Sequence, residues 1–128
     1  MPDIKAAATS YMAEDQSLSQ EILTLNNQLQ MTRYVRTYLA NESSSDKPLP
    51  SNSGIDNSGI EQQIAGYNNL LLQRNNLASK SSDRNPLVRD MDKQLADIRA
   101  TIVESVDNYI VTLQTQMAGL QGARGAAT

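Results

Sequence analysis

The sequence predicts an all-α protein built as an elongated antiparallel helical hairpin, and three observations carry this prediction. Apolar residues recur at alternating steps of three and four positions over long stretches, which is the spacing of a coiled-coil seam. Pro, Gly, Ser and Asn concentrate in segments that separate these stretches. The 128 residues include no Phe and no Trp, so a large globular core would lack its usual aromatic side chains.

The first helix is predicted over residues 3–41. In its second half the apolar positions follow one another at steps of four, three and four, and they are Leu18, Ile22, Leu25 and Leu29. The seam then drifts to Met31, Val35, Tyr38 and Leu39. The part before Leu18 is helical by propensity but has few apolar residues, and we expect its packing partner to be missing.

A linker, residues 42–58, separates the first helix from the second. Its Lys47-Pro48-Leu49-Pro50 stretch favours extended backbone, and the remainder is rich in the Asn, Ser and Gly of turns. Such a connection is long for a compact domain, so the linker is either functional or a structured crossing over the surface.

The second helix is predicted over residues 59–78, with Ser58 and Glu61 forming a capping box at its start. Arg74 falls where the next apolar residue of its seam would stand. We interpret Arg74 either as a contact between subunits or as a long side chain that lies along apolar surface with its charge in water. The seam itself contains Ile60, Ile64, Tyr67 and Leu71, and it is widened by Leu70 and Leu77.

A polar turn, residues 79–85, leads to the third helix, for which Asn85 suits the N-cap and Pro86 the first helical position. This helix is predicted over residues 86–120, a length of ~50 Å. Its seam follows heptad spacing with one four-residue stutter and consists of Val88, Met91, Leu95, Ile98, Ile102, Val106, Ile110, Leu113, Met117 and Leu120.

All 128 residues are expected to form one helical module. Because the turn is short, the second and third helices should pair antiparallel. The third helix is longer than the second, and the later half of the first helix could fill the difference by lying in line with the second. The alternative is a three-helix bundle that runs up, down and up; we favour the hairpin.

The composition lacks the residue types on which many catalytic sites depend. Without Cys or His there is no thiolate, disulfide or imidazole, and the formal net charge of −3 argues against binding to nucleic acid. Asp90 and Asp92 could form a paired carboxylate or cation site, but a solvated face beside Arg89, Lys93 and Arg99 is the stronger interpretation. We therefore expect no enzyme activity, no cofactor and no metal in this chain.

Two segments carry a resemblance to a known family. They are "LPSNSGI" at residues 49–55 and "IAGYNNLLLQRNNLASKSSDRNPLVRDMDKQLADIRATI" at residues 64–102. Together they resemble the periplasmic coiled-coil region of polysaccharide copolymerases, which are chain-length determinants. More narrowly, they resemble the capsular and exopolysaccharide tyrosine autokinases of Bacteroides-type bacteria.

The family pattern is Tyr-Asn-x-Leu-Leu-x-x-Arg-x-x-Leu, then a Ser-x-x-Asn-Pro-x-Val turn, then Gln-Leu on a long helix. In this sequence the residues that match it are Tyr67, Asn68, Leu70, Leu71, Arg74, Leu77, Ser82, Asn85, Pro86, Val88, Gln94 and Leu95.

The resemblance implies that this chain is the periplasmic portion of an inner-membrane protein that forms oligomers and governs polysaccharide chain length and export. The parent chain would carry the transmembrane helices and, in the autokinase subfamily, a cytoplasmic kinase domain, so this chain is expected to be a fragment. Its partners would be further copies of itself and an outer-membrane polysaccharide export protein. The alternative is the α-helical hairpin of a secretion or efflux membrane-fusion adaptor.

Overall fold

The structure, a computed structural model, describes residues 2–127, and within that range the side chains of residues 4–41 and 43–125. This part of the chain contains three α-helices and no strand. The elements are α1 (Pro2–Ala40), a short 3₁₀ helix (Glu42–Ser44), α2 (Ser58–Lys80) and α3 (Pro86–Ala127).

The helices form the predicted hairpin rather than a three-helix bundle. Ion pairs set the directions: Arg36 and Asp15 of α1 meet Asp107 and Arg124 of α3, so α1 is antiparallel to α3. In α2, Arg74 meets Asp92 and Tyr67 meets Arg99, so α2 is antiparallel to α3 as well. Both α1 and α2 pack along α3, whereas among the described residues no Cα atom of α1 lies within 8 Å of one in α2. The all-α, elongated fold class is therefore confirmed.

The hydrophobic core lies at the middle of the rod, where the end of α1, the linker and the start of α2 all meet α3. The linker itself contributes Leu49 and Ile55, each only 2% exposed, so it is a structured crossing rather than a loose loop. The buried cluster consists of Val35, Leu39, Leu49, Ile55, Ile60, Ile64, Tyr67, Leu71, Leu95, Ile102 and Val106.

The seam of α1 differs from the prediction at one turn. Met31 is 40% exposed, whereas Thr32 is 0% exposed. Thr32 continues the four-three spacing after Leu29, and its hydroxyl donates to the carbonyl of Gln28 at 2.7 Å, which lets a polar side chain occupy a buried position. Met31 instead lies over Gly54, where an added Cβ would stand 2.6 Å from the Met31 sulfur.

The start of α2 also differs from the predicted capping box. Asn57, not Ser58, is the N-cap, and its side-chain oxygen accepts from the amide of Ile60 at 3.0 Å. Ser58 is the first helical residue. Asn and Ser are comparable N-cap residues, so the sequence alone does not choose between these neighbours.

The third helix runs seven residues beyond its predicted end. Gly122 and Gly125 lower helix propensity there, but the intervening and following alanines raise it. Arg124 also pairs with Asp15 of α1, with 3.1 Å between Nε and Oδ1. Because Asp15 lies opposite Arg124 near the end of α3, about the first ten residues of α1 extend beyond α3. Ile4 and Tyr11 in this part of α1 are exposed.

At the opposite end, α2 runs to Lys80, two residues beyond its predicted end, so the turn consists of residues 81–85. Asn85 stands at the N-cap of α3 and its side-chain oxygen accepts from the amide of Leu87 at 3.0 Å, with Pro86 as the first helical residue. The amide of Asn85 donates to the carbonyl of Ser82 at 3.2 Å. Backbone and side chain together fix the bend.

We expect the chain to scatter X-rays as a rod in solution. From the helix lengths and register, the rod is about 80 Å long, with a radius of gyration of about 23 Å. A compact domain of this chain length would give about 14 Å. Small-angle scattering at several concentrations separates the two, and a value near 14 Å would contradict the fold.

Replacement of Leu95 by Ala should lower the free energy of unfolding by ~2–5 kcal/mol, because Leu95 is buried against α2 in the core cluster. Lys80 is exposed at the end of α2. Lys80→Ala should therefore change the free energy of unfolding by less than ~0.5 kcal/mol. Thermal or urea melts of the two variants measure the difference, and similar values for both would show that the register of α2 on α3 is wrong.

Candidate functional site

Arg99 of α3 caps the end of α1. Its Nη2 donates to the carbonyls of Tyr38 at 3.4 Å and Leu39 at 3.1 Å, and to the hydroxyl of Ser44 at 3.1 Å. The last carbonyls of a helix have no partner within the helix and carry its negative dipole end. The last turn of α1 has no basic residue of its own, so the cation is supplied by α3.

Tyr67 ties α2 to the same point. Its ring is buried, with 2% of the residue exposed. Its hydroxyl accepts from Nη1 of Arg99 at 3.4 Å and donates to the carbonyl of Ser45 at 3.3 Å. One tyrosine therefore links all three helices through the arginine and the first residues of the linker.

Asn68 holds the next part of the linker. Its side-chain oxygen accepts from the amide of Leu49 at 2.7 Å, and its side-chain nitrogen donates to the carbonyl of Leu49 at 3.0 Å. This pair of bonds satisfies both backbone groups of a buried residue, which would otherwise be costly to remove from water. The Pro48-Leu49-Pro50 stretch is thereby fixed against α2.

Further side chains hold the rest of the linker. Tyr38 donates to the carbonyl of Pro48 at 2.9 Å. The side chain of Gln28 donates to the carbonyl of Gly54 and accepts from the amide of Asp56, both at 2.7 Å. Tyr109 donates to the carbonyl of Asp56 at 3.1 Å, and burial, aided by the charge of Asp56, raises the pKa of the Tyr109 hydroxyl.

Arg74 forms ion pairs within the chain. The two interpretations of Arg74 from the sequence, a contact between subunits or a side chain with its charge in water, did not include these pairs. Its Nε lies 2.8 Å from Oδ1 of Asp92 on α3, and its Nη2 lies 3.2 Å from Oδ1 of Asp83 in the turn. The hydrogen bond to Asp92 raises the pKa of the Arg74 guanidinium. The Arg74 guanidinium is therefore charged at every pH below the range in which arginine ordinarily titrates. Through its two carboxylate partners it joins α2, α3 and the turn.

A crevice of about 340 Å³ opens beside these residues, at the step where α1 ends and α2 and α3 continue alone. Arg74 and Arg99 both line it, one held by carboxylates and the other by neutral oxygens. We call this space the crevice; its lining consists of Ser45, Asp46, Tyr67, Leu71, Arg74, Asn75, Asp92, Leu95, Ala96 and Arg99.

The crevice contains charged and polar groups that can bind a ligand. Among the described residues that line it, the ionisable groups are arginines, carboxylates and a buried tyrosine, and the sequence contains no histidine. In the described part of the chain, no three acidic residues are grouped closely enough to hold a metal ion. Asp90 and Asp92 take separate partners, since Asp90 accepts from Gln94 at 3.0 Å.

Four of the twelve residues that match the family pattern line the crevice: Tyr67, Leu71, Arg74 and Leu95. Asn68 follows Tyr67 on α2 and bonds Leu49 of the linker. The remaining seven do not line it. Leu70 and Leu77 are partly buried on α2, Val88 is buried near the turn, Asn85 and Pro86 form the start of α3, and Ser82 and Gln94 are exposed.

Sequence reasoning missed Arg99, which it placed on a solvated face. The available signal was position: Arg99 stands four residues after Leu95 and three before Ile102, so it borders the seam. The spacing alone could not show that the end of α1 lies beside Arg99.

No protein-family model, no curated protein and no solved structure matches this chain. The resemblance to polysaccharide copolymerases accordingly stays a prediction. None of the helices in the described range is long and apolar enough to cross a membrane.

Replacement of Arg99 by Met should destabilise the protein by about 1–3 kcal/mol, because the Leu39 carbonyl and the Ser44 hydroxyl lose the donor that Arg99 supplies while the aliphatic part of the side chain is kept. Arg89→Met is the matched control, since Arg89 is exposed on the same helix and its side chain makes no hydrogen bond with the described residues. Urea unfolding compares them, and equal stability of the two variants would count against the capping role.

Proposed function

We propose that this chain is a structural and interaction module, the periplasmic coiled-coil region of a polysaccharide copolymerase. In this proposal it acts by assembly rather than by catalysis, within a parent protein of the inner membrane that controls the length and export of a capsular polysaccharide or exopolysaccharide. The tyrosine autokinase activity of the subfamily would belong to another domain of that parent.

The observation that carries the proposal is the meeting of the two segments that show the resemblance. Residues 49–55 and 64–102 are separate in sequence, yet Asn68 of the second holds Leu49 of the first through two hydrogen bonds. Tyr67, beside Asn68 in the family pattern, reaches the linker at Ser45. Residues of the family pattern on α2 therefore bind the linker to α2, and a structural module that recurs among proteins needs such internal contacts.

The rod shape supports an assembling role. A rod exposes a large lateral surface to further copies of the chain, and its turn is a distal end that could reach an export protein of the outer membrane. Arg74 stiffens that end by joining Asp83 of the turn to Asp92 of α3. A preorganised end loses less conformational entropy when it binds a partner.

The proposal is tested in the source organism by exchanging single codons of the chromosomal gene. Asn68→Ala removes both hydrogen bonds to Leu49 and should loosen the linker, at a cost of about 1–3 kcal/mol. We expect the length distribution of the surface polysaccharide, measured on gels, to shift. Asn69→Ala is the matched control, because Asn69 is the exposed neighbour, and it should leave the distribution unchanged.

Immunoblots establish that both variants accumulate to the wild-type level. An unchanged polysaccharide pattern in the Asn68→Ala strain, and also in a strain that lacks the gene, would overturn the proposal. Loss of secretion or efflux of small compounds in the same strains, with normal polysaccharide, would favour a membrane-fusion adaptor instead.

A further inference from the structure

We propose that the crevice binds a carboxylate-bearing sugar residue, and that Arg99 is the group that meets the carboxylate. That the ligand is a sugar rests on the proposed function. That it carries a carboxylate rests on the state of Arg99.

The guanidinium of Arg99 is partly buried, and it has no negatively charged partner among the described side chains. All four of its acceptors are neutral: two backbone carbonyls, the Ser44 hydroxyl and the Tyr67 hydroxyl. No carboxylate oxygen of the described side chains lies within ion-pair distance, 4.0 Å, of its nitrogens. Charges that are withdrawn from water usually have an opposite charge beside them.

Arg99 also retains donor capacity. Its Nε makes no hydrogen bond with the described residues, and its Nη1 makes only the 3.4 Å bond to Tyr67. A guanidinium presents its donors in a planar fork that fits a carboxylate. Arg74 differs, because Asp92 and Asp83 already occupy its Nε and Nη2.

The remaining walls of the crevice suit a sugar ring. Leu71, Leu95 and Ala96 provide apolar surface for the carbon-bound hydrogens of a pyranose, while Asn75 and Asp46 can hydrogen-bond its hydroxyls. The volume of about 340 Å³ is at the lower end of the range found for small-molecule sites, which is adequate for one sugar residue.

The test is titration of the purified chain with sodium glucuronate, followed by the Nε–H signal of Arg99 in proton–nitrogen correlation spectra. For a ligand of this size we expect a dissociation constant on the order of 1 mM. Glucose, which lacks the charge, and acetate, which lacks the ring, should each bind at least tenfold more weakly.

Two substitutions on α3 separate the crevice from the rest of the surface. Ala96→Phe places a ring in the crevice and should abolish binding, whereas Ala100→Phe, on the exposed surface one turn later and outside the crevice, should not. Both side chains are exposed, so both variants should melt as the wild type does. Equal binding by the two variants would overturn the assignment to this crevice.

A third variant tests the charge. Asp46→Asn removes the one lining carboxylate that has no ion-pair partner among the described residues, while keeping a hydrogen-bonding amide. It should tighten glucuronate binding by about two- to fivefold, as expected for an exposed charge. Tighter binding of glucose in this variant, or equal affinity of the wild type for acetate and glucuronate, would overturn the proposal.

The outcome of the glucuronate titration is separate from the outcome of the test of the proposed function. Absence of saturable glucuronate binding would remove the ligand site, while the polysaccharide length in the Asn68→Ala strain would still report on the module as a whole.

Discussion

The bond between Arg99 and the end of α1 is the interaction on which the rest of the arrangement depends. A helix that ends inside a protein leaves its last carbonyls without partners, and α1 ends beside α3 rather than in open solvent. Arg99 donates to the Leu39 carbonyl there and adds to the bonds that the Tyr38 carbonyl accepts from Asn41 and Ser44. The same side chain reaches Ser44 and Tyr67. The end of α1, the entry to the linker and the packing of α2 are consequently fixed at one point.

This arrangement also accounts for the order of the linker. Fixing each backbone residue costs roughly 1–2 kcal/mol of conformational entropy, so a long crossing stays ordered only where burial and hydrogen bonds compensate. Here Leu49 and Ile55 are buried in the core, and side chains of α1, α2 and α3 bond its backbone at Ser45, Leu49 and Asp56. The crossing becomes part of the hydrophobic core and lets α2 follow α1 along α3.

The sequence predicted the parts of the structure that follow from apolar spacing. The seam of α2 and most of that of α3 were identified because Leu, Ile and Val at heptad positions have no comparably favourable place but the interface. Thr32 was missed because a buried threonine can satisfy its hydroxyl on its own helix, and nothing in the spacing reveals this bond. Arg99 was missed because its partners lie between 32 and 61 residues away in sequence, so no local pattern contains them.

The crevice follows from the unequal lengths of the helices. From Arg99 toward its C-terminus, α3 is covered by α1, with the linker and the start of α2 beside it at the middle of the rod. Between Pro86 and Arg99, α3 is covered by α2 alone, so a step must exist where α1 stops. The side chains at this step face both an interface and water, which is where charged groups with long aliphatic stems are favoured. Arg74 and Arg99 stand on its two sides because each can pack its stem against the seam and bond outward. Arg74, which had no place in the apolar pattern of α2, is thus explained by its bonds to Asp92 of α3 and Asp83 of the turn.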